Sequence, residues 1–178
     1  MKHFFFFFLT AACWLSCNKD SLITSGEARI TTSTDLLTFD TVFTGRGSVT
    51  RFFTIVNDNE QPLNISAIAL AGGTNSAFSI NVNGSAGASF NNLTLQAGDS
   101  LYVFARVTID AGNSLSPFLV KDSVNISFNG NIRKVQLQAY GQNARYINGG
   151  RITTNTIWDN TLPYVIVQPL TINPGVSL

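Results

Sequence analysis

Between Leu36 and Tyr140 apolar residues recur at every second position in short runs separated by turn-forming residues. The clearest run sets Leu101, Val103, Ala105, Val107 and Ile109 against Tyr102, Phe104, Arg106 and Thr108. In an extended chain that spacing sends one set to a core and the other to the opposite face. No stretch after Ser16 sustains a 3.6-residue apolar period, so the chain has no amphipathic helix with which to build a second layer. Sheet must pack on sheet.

The remaining strands follow the same rule. In Leu36–Thr44, Leu37, Phe39 and Phe43 are expected on one face. In Val49–Asn57, Phe53 and Ile55 oppose Phe52, Thr54 and Val56. Leu63–Leu70 and Ala77–Val82 come next, with Val120–Phe128 and Ile132–Tyr140 after the central run. Asn57-Asp58-Asn59-Glu60-Gln61-Pro62 is a turn, because Asn and Asp bond their own backbone and proline fixes φ. Asn129-Gly130 is a hairpin signal, since both residues tolerate positive φ. About seven or eight short strands over roughly 105 residues make an all-β sandwich.

The segments Leu37-Thr38-Phe39-Asp40-Thr41-Val42-Phe43, Phe53-Thr54-Ile55-Val56-Asn57 and Leu63-Asn64-Ile65 resemble the start of an abnormal-spindle/hydin-type (ASH) immunoglobulin-like domain. Phe78-Ser79-Ile80, Leu95-Gln96-Ala97-Gly98-Asp99-Ser100 and Val135-Gln136-Leu137-Gln138-Ala139-Tyr140-Gly141 are similar to its later landmarks. Bacterial "choice-of-anchor" surface proteins carry similar modules. The resemblance covers residues 36–144 and implies an immunoglobulin-like antiparallel β-sandwich. Such domains act as non-catalytic spacers or protein-binding modules, so the resemblance speaks for fold more than for function.

Charge and chemistry narrow the function further. Only 12% of residues are charged and the net charge is +1; without Lys2, ten basic residues face ten acidic ones. That balance leaves no electrostatic footprint for nucleic acid. His3, Cys13 and Cys17 are the only histidine and cysteines. A chain processed before Cys17 therefore has no histidine and a single cysteine, which excludes His- or Cys-ligated metal sites, Ser-His-Asp triads and a disulfide. No cofactor and no enzymatic activity are expected.

Met1-Lys2-His3, the apolar Phe4–Leu9 and the smaller residues of Thr10–Ser16 have the layout of a signal peptide over residues 1–16. The apolar stretch is far shorter than the ~20 residues a membrane span needs. Trp14-Leu15-Ser16-Cys17 resembles a lipobox, with Trp14 where leucine is usual and Thr10-Ala11-Ala12-Cys13 as a weaker competing site. The resemblance implies a bacterial lipoprotein anchored through a lipid on Cys17 in the cell envelope. The competing reading is an ordinary signal peptide with incidental cysteines. Residues 17–35, rich in Ser and Thr, read as a lipidated tether reaching about 25 Å.

Residues 145–178 read as a linker and an incomplete start of a β-helix. Ile152–Ile157, Trp158-Asp159-Asn160, Pro163–Val167, Leu170–Ile172 and Pro174–Leu178 look similar to the cap and first coil of a right-handed parallel β-helix. The pattern stops in mid-repeat at Leu178, as expected of a fragment or a shortened gene. The alternative is a terminal strand that completes the sandwich.

Several clusters carry groups that could do chemistry. Asp58 and Glu60, with Asn57 and Asn59, match no established calcium loop and read as a solvated turn. Asp-Ser/Thr-apolar tripeptides mark Ser21, Thr41, Ser100 and Ser123 as candidate O-glycosylation sites, although Asp-Ser also opens strands naturally. The sequons at Asn64, Asn83, Asn92 and Asn125 read as chance. Tyr102, Phe104 and Arg106 read as the other side of the core or the cover of an edge, with an adhesive face as the alternative. The expectation is a non-catalytic, lipid-anchored envelope protein acting as a spacer or as a protein- or glycan-binding module. The alternative is the accessory front of a β-helical carbohydrate-active protein.

Overall fold

In the computed structural model, residues 21–112 and 117–178 are described. Ten strands form two five-stranded sheets. The first sheet has the order β1-β3-β8-β5-β6. Its members are β1 (Ile30–Thr32), β3 (Arg51–Asn57), β8 (Ser100–Val107), β5 (Phe78–Val82) and β6 (Ser85–Gly87). The second has the order β2-β10-β9-β4-β7. It comprises β2 (Leu36–Phe43), β10 (Asn131–Gln142), β9 (Phe118–Phe128), β4 (Leu63–Leu70) and β7 (Ser89–Leu95). The two sheets enclose one apolar core, an immunoglobulin-like sandwich.

The alternation in β8 is followed without exception: Leu101, Val103, Ala105 and Val107 are buried, and the residues between them are exposed. Phe53 and Ile55 from β3, Ile126 from β9 and Leu137 from β10 fill the middle. The rings of Phe39 and Phe78 meet across the sheets at 5.7 Å. At Asn129-Gly130 both residues take positive φ, 44° and 79°, closing the β9–β10 hairpin. Asn83-Gly84, with φ of 51° and 80°, closes the β5–β6 hairpin in the same way.

The sheets are mixed, not purely antiparallel. β2 pairs parallel to β10, from Leu36 opposite Gln136 to Phe43 opposite Gln142. Along this pairing Phe39 faces Ala139 and Thr41 faces Tyr140, leaving Asp40 as a bulge. The bulge reverses the phase of the strand, so Val42 is buried in place of the expected Phe43. Ser66 does the same in β4, and Ile68 and Leu70 resume the core face after it.

Of the expected tether, residues 17–35, the described part from residue 21 onward is mostly part of the sandwich. β1 pairs antiparallel with β3, and Ala28 is buried. The Ile23 N–H donates to the Pro62 carbonyl at 2.9 Å. The Asn129 side-chain amide reaches the carbonyls of Ile23 and Ser25, and that of Asn131 reaches Gly26. Ser/Thr composition suggests flexibility, but these backbone bonds along an edge outweigh it. The signal region, Cys17 and the anchor lie outside the described residues.

The linker expected at the start of residues 145–178 is largely a strand, β11 (Arg145–Ile152), which pairs parallel with β12 (Tyr164–Ile172). Neither strand joins the sandwich sheets, so β12 does not complete the sandwich. Arg145 sits opposite Tyr164, 19 residues on, and Ile152 sits opposite Ile172, 20 residues on. Tyr146 ties this ribbon to the sandwich: its hydroxyl donates to the Thr44 carbonyl at 2.6 Å, and the Arg46 guanidinium lies 5.1 Å from its ring centre.

Candidate functional site

The outward face of the first sheet carries the strongest concentration of exposed aromatic surface. Phe52 of β3 lies directly across from Phe104 of β8, and Thr54 across from Tyr102. Because Phe53, Ile55, Val103 and Ala105 occupy the core side, the pleat forces Phe52, Tyr102 and Phe104 outward. They are 54%, 48% and 40% exposed, so they do not cover a second layer. Phe52 contacts both partners, at 5.5 Å from Tyr102 and 5.8 Å from Phe104 between ring centres. Tyr102 and Phe104 lie 6.2 Å apart. Cross-strand aromatic pairs stabilise a sheet modestly, and here they also leave one coherent apolar surface.

A cleft of about 670 Å³ adjoins this cluster, with Phe104 and Arg106 on its wall. Thr50, Thr74, Ser79 and Asn81 add hydroxyl and amide groups, while Phe78 and Ile80, also along it, are buried in the core. In the sheet, Asn81 sits opposite Phe104 and Ser79 opposite Arg106, which places the polar row beside the aromatic one. The Arg106 guanidinium lies over Gly47, where a Cβ would fall 2.8 Å from its terminal nitrogen. It makes no ion pair; the bridges among the described residues join Arg51 to Asp40, Arg133 to Asp35 and Arg145 to Asp159.

The back of the cleft is held by Asp122 of β9. Its carboxylate accepts from the Gly72 N–H at 3.1 Å, from the Ser76 hydroxyl and from the Ser123 N–H at 2.7 Å. This fixes the short 3-10 turn at Gly73–Asn75 against β9. Asp122-Ser123 thus performs a structural task, and Ser123 is buried, which withholds it from any glycosyltransferase acting on the folded domain. Thr41 and Ser100 are exposed, as is Ser21. The Asn57–Pro62 turn is equally committed: the Asn57 amide is fully buried, and Asp58 accepts from the Thr31 hydroxyl at 2.5 Å. Among the described residues no group of three His, Cys, Asp or Glu side chains is placed to hold a metal. Among them, too, no helix is long and apolar enough to cross a membrane.

A second polar cluster fastens the connector between β11 and β12. Trp158 stacks on Tyr164 at 4.2 Å with the rings 7° from parallel, and Arg145 lies 5.4 Å from the Tyr164 ring centre. Arg145 donates to Asp159 and to the Tyr164 hydroxyl, both at 2.7 Å. The Asp159 carboxyl is lowered from 3.8 to about 2, first by the Thr161 hydroxyl, then by the Thr161 N–H, then by Arg145. A lowered folded value means that the bonded carboxylate stabilises this connector above pH 3.8, and that the contribution fades as pH falls toward about 2. In a carbon-detected NMR titration, Thr161→Val is expected to raise this midpoint more than Arg145→Gln does. The reverse order would assign the effect to charge.

These features define a class: an immunoglobulin-like sandwich with an exposed aromatic sheet face and a neighbouring cleft. Against known proteins, no family model and no curated protein matches the sequence. Similar solved structures include a family 123 glycoside hydrolase from Clostridium perfringens, with TM-score 0.42 and 11% identity over 63% of this chain and 25% of that one. A protein of unknown function from Porphyromonas gingivalis W83 has TM-score 0.46 and 11% identity, covering 72% of this chain and 61% of that one. The ASH/PapD-like domain 7 of human CEP192 has TM-score 0.37 and 12% identity, covering 69% and 89%. The chain thus spans about a quarter of the length of the hydrolase.

Proposed function

We propose that this chain is a non-catalytic protein of a bacterial cell envelope, held to a membrane by a lipid on Cys17. Its sandwich acts as a spacer and as a binding module for an envelope protein or glycan. The observation that carries the binding role is the exposed cluster of Phe52, Tyr102 and Phe104, since rings left in water on a sheet face favour a partner that covers them. The anchor rests on Trp14-Leu15-Ser16-Cys17 behind a short apolar leader. Acyl chains of this kind hold firmly, because each buried CH₂ contributes about 0.8 kcal/mol. Cells expressing the full chain and fed labelled palmitate are expected to label it, and Cys17→Ala is expected to abolish the label. Label that survives Cys17→Ala and disappears in Cys13→Ala moves the anchor; a mature chain without acyl groups removes it.

A second reading is favoured by one observation, the parallel pairing of β11 with β12 at a spacing of 19 to 20 residues. One strand returning beside its predecessor after a fixed interval is the unit from which a parallel coil is built. On this reading the sandwich is the accessory front of a β-helical carbohydrate-active protein.

A further inference from the structure

We infer that the cleft beside Phe104 binds a carboxylated sugar, a uronic acid within a glycan, with Arg106 as its anion partner. The inference rests on the binding-module reading above and names its ligand class, but it is independent of the lipid anchor. Three observations converge on it. The first is the lining: the hydroxyl residues Thr50, Thr74 and Ser79 and the amide residue Asn81 line a cleft together with the exposed Phe104. Sugars are bound by this combination, hydrogen-bonding groups around the ring edge with an aromatic ring against the C–H face. The volume of about 670 Å³ is that of a small-ligand site.

The second observation is charge. Arg106 is a cation with no carboxylate paired to it among the described residues, its guanidinium lying beside Gly47. A planar guanidinium with free donors matches a carboxylate in a bidentate geometry. Asp122, which bonds Ser76 at the cleft, is committed to Gly72, Ser76 and Ser123 and is not part of the lining, and Asp40 is paired with Arg51. A neutral glycan would leave Arg106 unused; an anionic one gives it a partner.

The third observation separates a glycan from an acidic peptide. An extended peptide docks by adding a strand to an open sheet edge. Here β6 covers Ile80 to Val82 of β5 and is itself the edge, so among the described residues the free backbone of this sheet edge is the three-residue run Ser85–Gly87, short for a docked strand. What remains accessible is a set of side chains around a concavity.

The test uses the full chain in detergent with three probes: a trigalacturonide, the same trimer methyl-esterified, and a poly-glutamate peptide of equal charge. The trigalacturonide is expected to bind in calorimetry and to shift the Asn81 and Ser79 amide resonances. Esterification, Arg106→Gln and Phe104→Ala are each expected to weaken binding at least tenfold, and Lys134→Ala, on β10 of the other sheet, is expected to leave it unchanged. Unchanged melting temperatures for both cleft variants exclude loss of folding as the cause. Equal binding of the esterified trimer, equal or tighter binding of the peptide, or binding that survives Arg106→Gln would each overturn the assignment. Failure of all three probes overturns it too, while palmitate labelling at Cys17 still stands or falls by itself.

Discussion

Replacing Asn57 with alanine is expected to cost about 3 kcal/mol of folding free energy, a large part of what holds a domain of this size. Asn57 closes β3 and is fully buried. Its side-chain amide reaches the carbonyls of Gln61, Leu95 and Gln96 at 2.9–3.0 Å, and its oxygen accepts from the Asn59 N–H at 3.1 Å. Its own N–H donates to the Asp99 carbonyl, and its carbonyl accepts from the Gly98 N–H, both at 3.0 Å. One residue thereby fastens the turn after β3 to the turn before β8. Alanine would strand several buried carbonyls without a donor, each at a cost of roughly 1–3 kcal/mol, partly offset by relaxation. Asn57→Asp provides a sharper version. A carboxylate facing those carbonyls is disfavoured, so its folded-state pKa must rise above the usual ~3.9. The unfolded chain would then ionise first as pH rises, and the variant should weaken from pH 4 upward. Urea unfolding should therefore rank Asn57→Asp well below Asn57→Ala at pH 7 and close to it at pH 3. Equal deficits at both pH values would show that the site is wet enough to carry the charge.

Truncating Phe53 to alanine should remove about 3–5 kcal/mol, whereas the same change at its neighbour Phe52 should remove roughly 1 or less. Phe53 is fully buried opposite Val103, in the centre of the first sheet. Phe52, one residue earlier, points to solvent. The two variants delete the same atoms from the same strand, so the difference isolates burial and the cavity left behind. For a domain of this length the Phe53 variant should melt on the order of 10 °C lower. Near-equal melting temperatures would mean that the aromatic face is covered by another copy or another element.

Much of this architecture can be read from residue order alone, and the exceptions have identifiable causes. The strands β8 and β10 alternate cleanly because both sit inside their sheets with one face on the core. Phe43 was expected inside, and Val42 takes the place, because a bulge at Asp40 carries no composition signal. The polar β1, β6 and β7 carry no sustained apolar alternation, since they are edge strands held by pairing rather than by apolar content. Asn83-Gly84 was a hairpin signal that a sequon reading obscured. The parallel pairing of β2 with β10 joins segments about a hundred residues apart, which no local pattern encodes. At the candidate site, Tyr102, Phe104 and Arg106 were visible as the second face of an alternating strand. Phe52 joined them only through cross-strand register, and Ser79 and Asn81 only through the neighbouring β5.

The same parallel pairing also sets the order in which the protein can mature. As the chain leaves the ribosome, β2 emerges early, but its only sheet partner among the described residues is β10, completed at Gln142. Hairpins such as β9–β10 close locally and fast, whereas this closure must wait for the whole intervening chain. Until then Leu37, Phe39 and Val42 remain uncovered, so a holding factor that keeps nascent chains apart would find its natural target in this first apolar strand.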